Sequence, residues 1–222
     1  MTTAACITLS VRIGTWDVIL PQIQIMDDAD AQVVQAVLAG DVDQYARLVD
    51  RYQQQALRVA FSLLGNGEDA KDAAQDAFIS AYRALRSYNG SAKFSTWLYR
   101  IVVNKCKDFY RSRQRRPKTI GITVDGGSAD AQDQTFFIDV DDPQADPQAR
   151  ALNKELSRQL SCGITHLPMK QRSAFVLHHL HGFSLEETAA VMHCSIGTVK
   201  SHLFRACASL RTHLGPWVGE GA

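Results

Sequence analysis

Residues 182–211 carry the strongest local folding signal in the chain, a pattern that predicts two helices joined by a tight turn. Ser184 precedes Glu187 by three residues, which is the spacing of a capping box, and a short helix is predicted through Met192. The pattern breaks at residues 193–195. A second helix is then predicted by an apolar stripe in steps of three and four: Ile196, Val199, Leu203, Ala206, Leu210 and Leu214. This stripe must be buried, so both helices have to pack on further structure.

The opposite face of the second predicted helix is polar and cationic. No acidic residue occurs between Ser195 and Leu214, and the face carries Thr198, Lys200, Ser201, His202 and Arg205. Such side chains can hydrogen-bond phosphates and base edges in the major groove of DNA. The alternative is a solvated face on an ordinary helical bundle. The short helix and tight turn in front of it are typical of a helix-turn-helix, which favours DNA binding.

Charge is strongly segregated along the chain, although the formal net charge is only +1. Residues 100–118 contain eight Lys or Arg and a single acidic residue, Asp108. Residues 121–149 contain seven Asp and no basic residue. This distribution indicates that one segment faces phosphate, while another avoids phosphate or mimics it.

Four helices are predicted before Pro117, which ends the last of them. They cover Asp27 onward, Asp43 to Leu64, Glu68 to Ser87, and Phe94 to Arg116. The third has alanines on one side and an acidic edge on the other, formed by Asp69, Asp72, Gln75 and Asp76. An acidic helix edge is usually only solvated, but it could also dock a basic partner.

The fourth predicted helix carries a basic stripe about 22 Å long at 1.5 Å per residue. Its members recur in steps of three and four: Arg100, Asn104, Lys107, Arg111 and Arg115. Phe94 and Trp97 lie where this helix meets the preceding loop, residues 88–93. A basic track with aromatic side chains suits a strand whose bases are unstacked. The alternative is that both aromatic residues belong only to the core.

The expected architecture is therefore all-α, with two small helical domains joined by a flexible acidic linker. The first domain is predicted at 27–116, the linker at 117–149, the second domain at 150–215 and a tail at 216–222. In the second domain, helices are expected from Arg150 to Ser161 and from Leu167 to His181, ahead of the helix-turn-helix. Residues 1–25 differ in composition from these helices, and we interpret Met26 as the start of translation, with residues 1–25 disordered or mis-assigned.

Several function classes are disfavoured by the sequence. The five cysteines form no C-x-x-C pair, and no secretory pattern is present, which favours a reducing, cytoplasmic setting. Histidines and a cysteine cluster near the helix-turn-helix, but their spacing fits no standard zinc pattern: His178, His179, His181, His193 and Cys194. We find no nucleophile–base pair and no phosphate-binding glycine loop. No catalytic residue, cofactor or small-molecule substrate is therefore predicted.

Four segments resemble the extracytoplasmic-function sigma factors of bacterial RNA polymerase, and most closely their envelope-stress, sigma-E-like type. These segments are DAKDAAQDAF from Asp69, FSTWLYRIVVNKCKDFYRSRQRR from Phe94, LPMKQRSAFVLHHLHGFSLEETA from Leu167 and GTVKSHLFRA from Gly197. They occur in the order of that family and cover about residues 27–215. The resemblance implies a four-helix sigma domain two, a linker, and a sigma domain four with the helix-turn-helix.

The resemblance implies a partner for each surface. The acidic edge would bind bacterial core RNA polymerase through Asp69, Asp72, Gln75, Asp76 and Phe78. The loop and the following helix would bind the melted minus-ten element and capture a flipped base, using Tyr88, Ser91, Lys93, Phe94, Trp97, Arg100, Asn104 and Arg111. The last helix would read the minus-thirty-five duplex of promoter DNA through Thr198, Lys200, Ser201, His202, Phe204 and Arg205. An anti-sigma factor, commonly a membrane protein, is also implied, and it would hold the chain at the inner membrane.

Two positions depart from the family pattern. His202 and Cys207 stand where the family usually has arginine. Two cationic contacts with DNA are therefore expected to be missing, which should lower affinity and flatten its salt dependence.

Two other functions fit parts of the sequence. A conventional helix-turn-helix regulator would bind operator DNA without being a polymerase subunit. A nucleic-acid-modifying enzyme would use the basic, aromatic helix beside an active site, but no cluster of catalytic carboxylates accompanies that helix. The favoured function is a dissociable initiation subunit with no catalysis of its own.

Overall fold

A computed structural model describes residues 27–115 and 147–218, and these residues contain helices and connecting turns but no strand. The predicted all-α fold is confirmed. The helices are α1 Asp27–Leu38, α2 Tyr45–Leu64, α3 Gly67–Ala84, α4 Phe94–Arg115, α5 Pro147–His166, α6 Met169–Phe175, α7 Leu185–Met192 and α8 Ile196–Val218. We call 27–115 the N-terminal domain and 147–218 the C-terminal domain. The expectations for residues 1–25, for translation starting at Met26, and for linker residues 117–146 lie outside the described residues.

The turn between α2 and α3 is fixed by two capping residues. Gly65 adopts the left-handed conformation, with φ of +70°, and its N–H donates to the Phe61 carbonyl. That conformation favours glycine because a Cβ would be strained there. The Asn66 side chain then accepts from the Asp69 N–H at 3.0 Å and caps α3. Two long helices can therefore reverse direction within two residues.

The N-terminal domain packs around the alanine side of α3. Ala70, Ala73, Ala77 and Ala81 have no exposed surface, so α2 and α4 lie close to this helix. Helix α1 completes the domain through a buried carboxylate, because Asp30 pairs with Arg51 and accepts from the Tyr52 hydroxyl. Burial, followed by Asp30, raises the pKa of Tyr52. The predicted four-helix arrangement is present.

The C-terminal domain contains the predicted helix-turn-helix, formed by α7 and α8. Both hydrogen bonds of the capping box are made between Ser184 and Glu187. His193 ends α7 with φ of +54°, the one positive φ at a non-glycine residue in the described part of the chain. The helix predicted from Leu167 to His181 is instead α6 followed by a π-helical stretch, Val176–Leu180.

The predicted apolar stripe of α8 is buried only in its middle. Val199, Leu203, Ala206 and Leu210 are buried, whereas Ile196 is 37% exposed and Leu214 is half-buried. Ile196 is the first residue of the helix, so no earlier turn covers it. Helix α8 also continues to Val218, past the predicted start of the tail at residue 216.

The two domains pack against each other and share one apolar cluster. Helix α4 contacts α7, and α2 contacts α6. The cluster includes Tyr99 and Val102 of the N-terminal domain, and Leu167, Leu177 and Phe183 of the C-terminal domain. The sequence left the arrangement of the domains open, and in the structure they are in contact.

Candidate nucleic-acid interface

Helix α8 presents its polar face to solvent. Phe204 is 77% exposed, and Thr198, Lys200, Ser201 and Arg205 are also exposed. The face is held in place because Val199 and Leu203 on the other side pack on Ala174 of α6 and Ala189 of α7. An aromatic ring this exposed has no role in the core, which is consistent with its predicted contact with the duplex.

Hydroxyl groups at the start of α8 are held by local hydrogen bonds. Ser195 accepts from the Thr198 N–H at 3.2 Å and lies 2.9 Å from the Thr198 hydroxyl. Ser201 donates to the Gly197 carbonyl at 3.0 Å. These bonds restrict the rotamers of the hydroxyl groups before any ligand arrives.

His202 differs from its neighbours on this face because it is half-buried. Burial, followed by the charges of Lys170 and Arg205, lowers its pKa. The lowered pKa favours the neutral imidazole, which supplies no cation to a phosphate. Cys207 is also half-buried, and burial raises the pKa of its thiol. The half-buried positions of His202 and Cys207 are consistent with the loss of positive charge that was expected at each of them.

The loop predicted to capture a base lines a hollow of about 670 Å³. Tyr88, Ser91 and Lys93 contribute to its wall, together with Val34 and Gln35 of α1. The loop is ordered by its own hydrogen bonds, since the Tyr88 hydroxyl donates to the Ala92 carbonyl at 2.8 Å. Polar groups and an aromatic edge therefore surround a space open to solvent.

The two predicted aromatic contacts have different surroundings. Trp97 is half-buried and packs against Tyr88, with ring centroids 5.3 Å apart. Phe94 is only 2% exposed and lies between Tyr52, Tyr88 and Trp97. The predicted DNA contact of Phe94 has no support in this conformation, because its ring belongs to the core. The Phe94 ring packs against the rings of Tyr88 and Trp97.

Some side chains of the basic stripe of α4 are exposed to solvent, and Arg100 contacts the C-terminal domain. Asn104 and Arg111 are exposed. Asn104 lies about 15 Å along the helix from Phe94, so the structure does not bring it to the hollow. Arg100 is half-buried and donates from Nε and Nη2 to the Ala190 carbonyl of α7, at 3.2 and 2.9 Å. Burial, followed by the charge of Arg111, lowers the pKa of Lys107.

The predicted polymerase-docking edge is exposed at Asp72, Gln75 and Asp76. Asp69 is instead paired with Arg113 of α4 at 2.7 Å, a contact that the sequence pattern did not predict. Phe78 is half-buried, and its carbonyl accepts from the Tyr45 hydroxyl at 2.7 Å. Burial raises the pKa of that hydroxyl to about 12.

A groove of about 530 Å³ runs between α2 and α3 beside this edge. Gln75 and Phe78 line it, and so do residues that the sequence analysis did not select: Gln53, Gln54, Leu57, Arg58 and Lys71. Part of this signal was present in the sequence, because Gln53, Gln54 and Arg58 form a polar face of α2 at helical spacing. The predicted docking edge therefore borders a groove formed by two helices.

Other kinds of site receive no support from the described residues. They contain no group of three or more His, Cys, Asp or Glu side chains able to hold a metal ion. No helix among residues 27–115 and 147–218 is long and apolar enough to cross a bilayer.

Two family models match the chain. The model for sigma-70 region 2 matches residues 48–116, which include most of α2 and all of α3 and α4. The model for sigma-70 region 4 matches residues 157–210, which include the helix-turn-helix.

Whole-chain comparisons agree with the family models. The RNA polymerase sigma-H factor of Pseudomonas aeruginosa is 36% identical over 196 residues, which cover 87% of this chain and 97% of that protein. The ECF RNA polymerase sigma-E factor of Escherichia coli K12 is 34% identical over 190 residues, covering 85% and 96%. The sigma factor RpoE from Bartonella quintana, solved in complex with the anti-sigma factor NepR, has the same fold at 23% identity, with a TM-score of 0.57 and coverage of 77% and 96%. The chain belongs to the extracytoplasmic-function group of RNA polymerase sigma factors.

Proposed function

We propose that the protein reads both promoter elements, with α8 on the minus-thirty-five duplex and the loop 88–93 with α4 on the melted minus-ten strand. The exposed face of α8 is the observation that carries this proposal. Lys200, Phe204 and Arg205 stand free of the core on a helix whose other side is anchored, and a capping-box helix precedes them. A rigid helix with cations and a hydrophobic ring on one side fits a major groove.

The minus-ten contacts are proposed for Tyr88, Ser91, Lys93, Trp97, Arg100, Asn104 and Arg111. The hollow beside the loop supplies stacking and hydrogen-bonding groups to a base that has left the helix. Extruding a base costs a few kcal/mol, so such groups have to compensate for lost stacking. Asn104 and Arg111 would hold the strand further along α4.

Core RNA polymerase docks, in this proposal, on the groove between α2 and α3. Asp72, Gln75 and Asp76 form its acidic rim, and Leu57 and Phe78 supply apolar surface. An apolar floor with a charged rim is the common composition of a protein–protein interface. The protein acts as a cytoplasmic binding subunit, not as an enzyme.

An anti-sigma factor is proposed as a further partner. The Bartonella sigma factor of the same fold was solved with one, and the exposed docking groove here offers a surface to a competing helix. A membrane-bound anti-sigma factor would hold the protein at the inner membrane.

Run-off transcription tests the proposal. Bacterial core RNA polymerase is incubated with a panel of promoter DNAs, with and without the protein. We expect initiation that requires the protein, at sites with spaced minus-ten and minus-thirty-five elements. Core enzyme that initiates equally well without the protein would contradict it.

A conventional regulator remains the second candidate, because the face of α8 is exposed in the described conformation and could meet duplex DNA without polymerase. Tight, sequence-specific binding of the protein alone, with no initiation in the run-off assay, would favour that function.

A further inference from the structure

A buried arginine joins the two domains. Arg172 of α6 is 2% exposed, and its Nη1 donates to the Leu63 carbonyl in the last turn of α2, at 2.7 Å. Its guanidinium carbon lies 5.2 Å from the centre of the Tyr110 ring of α4. Arg172 also donates from Nη2 to the carbonyls of Thr165 and Leu167, at the end of α5.

Arg172 has no carboxylate partner among the described residues. Its charge is balanced by carbonyl groups from the ends of two helices, one in each domain. Carbonyls in the last turn of a helix have no partner within it and carry partial negative charge. A buried cation needs such partners, and one of the three, the Leu63 carbonyl, comes from the N-terminal domain. The arrangement therefore favours contact between the domains.

Other contacts close the same interface. The rings of Tyr99 and Phe183 meet edge to face, with centroids 5.1 Å apart. Ser62 Oγ is hydrogen-bonded to His181 Nε2 at 3.2 Å. Thr165 approaches Gly65 so closely that a Cβ at position 65 would lie 2.9 Å from its Cγ2. The two domains are thus matched in shape as well as in hydrogen bonding.

This contact engages a side chain proposed to hold promoter DNA. Arg100 uses two of its nitrogens to bind the Ala190 carbonyl, so α7 lies over part of the DNA-facing stripe of α4. A phosphate could reach this guanidinium fully only after α7 moves away.

The distance between the promoter elements also conflicts with binding of both elements by domains that are packed together. Centres near positions −10 and −35 are about 25 base pairs apart, or roughly 85 Å at 3.4 Å per base pair. Helix α4 spans only about 33 Å, and the domains lie directly against each other. Residues 116–146 can reach roughly 100 Å when extended, which is enough to let them separate.

We infer that the described conformation is a closed, self-inhibited state, in which Arg172 and Arg100 hold the C-terminal domain on the N-terminal domain until the protein opens on a promoter. The inference rests on the proposed promoter contacts. Arg172 is a positioning residue in this device, because it is buried between the domains and lies outside the proposed DNA and polymerase contacts.

A reversible disulfide across the interface tests the inference. In a disulfide, the Cβ of one cysteine lies about 3 Å from the sulfur of the other, which is close to the spacing between Gly65 and Thr165. We would combine Gly65→Cys and Thr165→Cys with Cys162→Ser, because Cys162 is an exposed thiol one turn away. Mass spectrometry would identify the 65–165 bond.

We expect the oxidised variant to initiate transcription at least tenfold more slowly than the same protein after reduction. The control variant Gly65→Cys with Cys162→Ser carries the same left-handed strain but no bond, and it should show no effect of reduction. Equal initiation by oxidised and reduced protein would overturn the inference. If the reduced variant, the control and the unmodified protein all fail to initiate, the proposed promoter function fails instead.

X-ray scattering of the unmodified protein provides the second measurement. A compact chain of 222 residues has a radius of gyration of about 17 Å, and separated domains would give a clearly larger value. Tyr110→Leu with Ser62→Ala removes contacts from the N-terminal side only, so the C-terminal domain keeps its own bonds to Arg172. We expect this variant to be more extended than the unmodified protein. An unmodified protein as extended as the variant would overturn the inference.

Discussion

The two helices that are proposed to contact DNA are held in different ways. The polar face of α8 is exposed except at His202, because Val199 and Leu203 on the opposite side anchor the helix on its own domain. The corresponding face of α4 is partly covered by α7, and Arg100 is already hydrogen-bonded there. Local sequence therefore decides the availability of α8, whereas the position of the other domain decides the availability of α4. Duplex DNA can meet the first helix before the second.

The largest effect is expected from the exposed helix. Replacing Lys200 and Arg205 together with alanine should lower promoter-dependent transcription by about a hundredfold, since each such contact is worth roughly 1–3 kcal/mol. Binding to core polymerase should not change. Run-off transcription and a core-binding assay would measure the two quantities. Arg211→Ala is the matched control, because Arg211 is an exposed cation of the same helix outside the proposed contacts. Equal loss of both activities would contradict the division of roles.

The docking groove should give the reverse result. Asp72→Ala with Gln75→Ala removes exposed polar groups from the rim, and we expect affinity for core polymerase to fall about tenfold, the effect of losing roughly 1.4 kcal/mol. Affinity for a minus-thirty-five duplex should stay the same.

Glu68→Ala is the control for the docking groove, as Glu68 is an exposed acid at the start of the same helix. Unchanged core binding in the double variant would show that polymerase docks elsewhere.

The interface between the two domains should make the stability of the protein sensitive to acid, because His181 lies there. Burial, followed by the charge of Arg58, lowers the pKa of His181 to about 4, so the imidazole is neutral in the folded protein. In the unfolded chain it accepts a proton below about pH 6.5. The contribution of His181 to the free energy of unfolding is therefore present above about pH 6.5 and is lost as the pH falls toward 4. Between pH 7 and 5.5, we expect the free energy of unfolding to fall by about 1 kcal/mol.

Urea denaturation of the unmodified protein and of His181→Gln would measure this loss. The variant should lose less stability over the same interval. His179 and His202, whose pKa values are also lowered, contribute in both proteins, so the difference isolates His181. Identical pH dependence of the unmodified protein and the variant would show that His181 does not cause the loss of stability.

The smallest effect is expected at His202. His202→Arg restores a cation at a position where the family usually has one. We expect duplex affinity to rise a few-fold and the slope of log affinity against log salt to steepen by about one, as for one added phosphate contact. The gain is limited because Lys170 and Arg205 already place positive charge there. Fluorescence titrations at several salt concentrations would measure both changes. An unchanged slope would mean that the new side chain does not reach a phosphate.

Local patterns in the sequence predicted most of the fold and of the exposed site. The capping box of α7, the spacing of Val199 and Leu203, and the end of α2 at Gly65 depend on residues within one or two turns. The contact between Arg172 and Leu63 could not be predicted in this way. It joins residues 109 positions apart, and its acceptor is a backbone carbonyl, which every residue has.

Phe94 shows a second limit of prediction from the sequence. Helical spacing places an aromatic residue at the start of α4, but spacing cannot distinguish a ring that stacks on a base from one that fills the core. Its burial depends on Tyr52 and Tyr88, which come from two other segments of the chain. The exposed position of Phe204, in contrast, follows from the stripe of α8 itself.

The crossing of α5 and α8 affects the direction of the face of α8 that is proposed to contact DNA. Gly163 lets the helices approach so closely that a Cβ there would lie 2.8 Å from the His213 ring and 2.9 Å from Leu210. Leu210 is about 21 Å along the helix from Ile196. A tilt of about 10° at this crossing would carry the first turn of α8 by nearly 4 Å, close to the rise of one base pair. The absence of a side chain at position 163 therefore affects where the first turn of α8 would meet DNA.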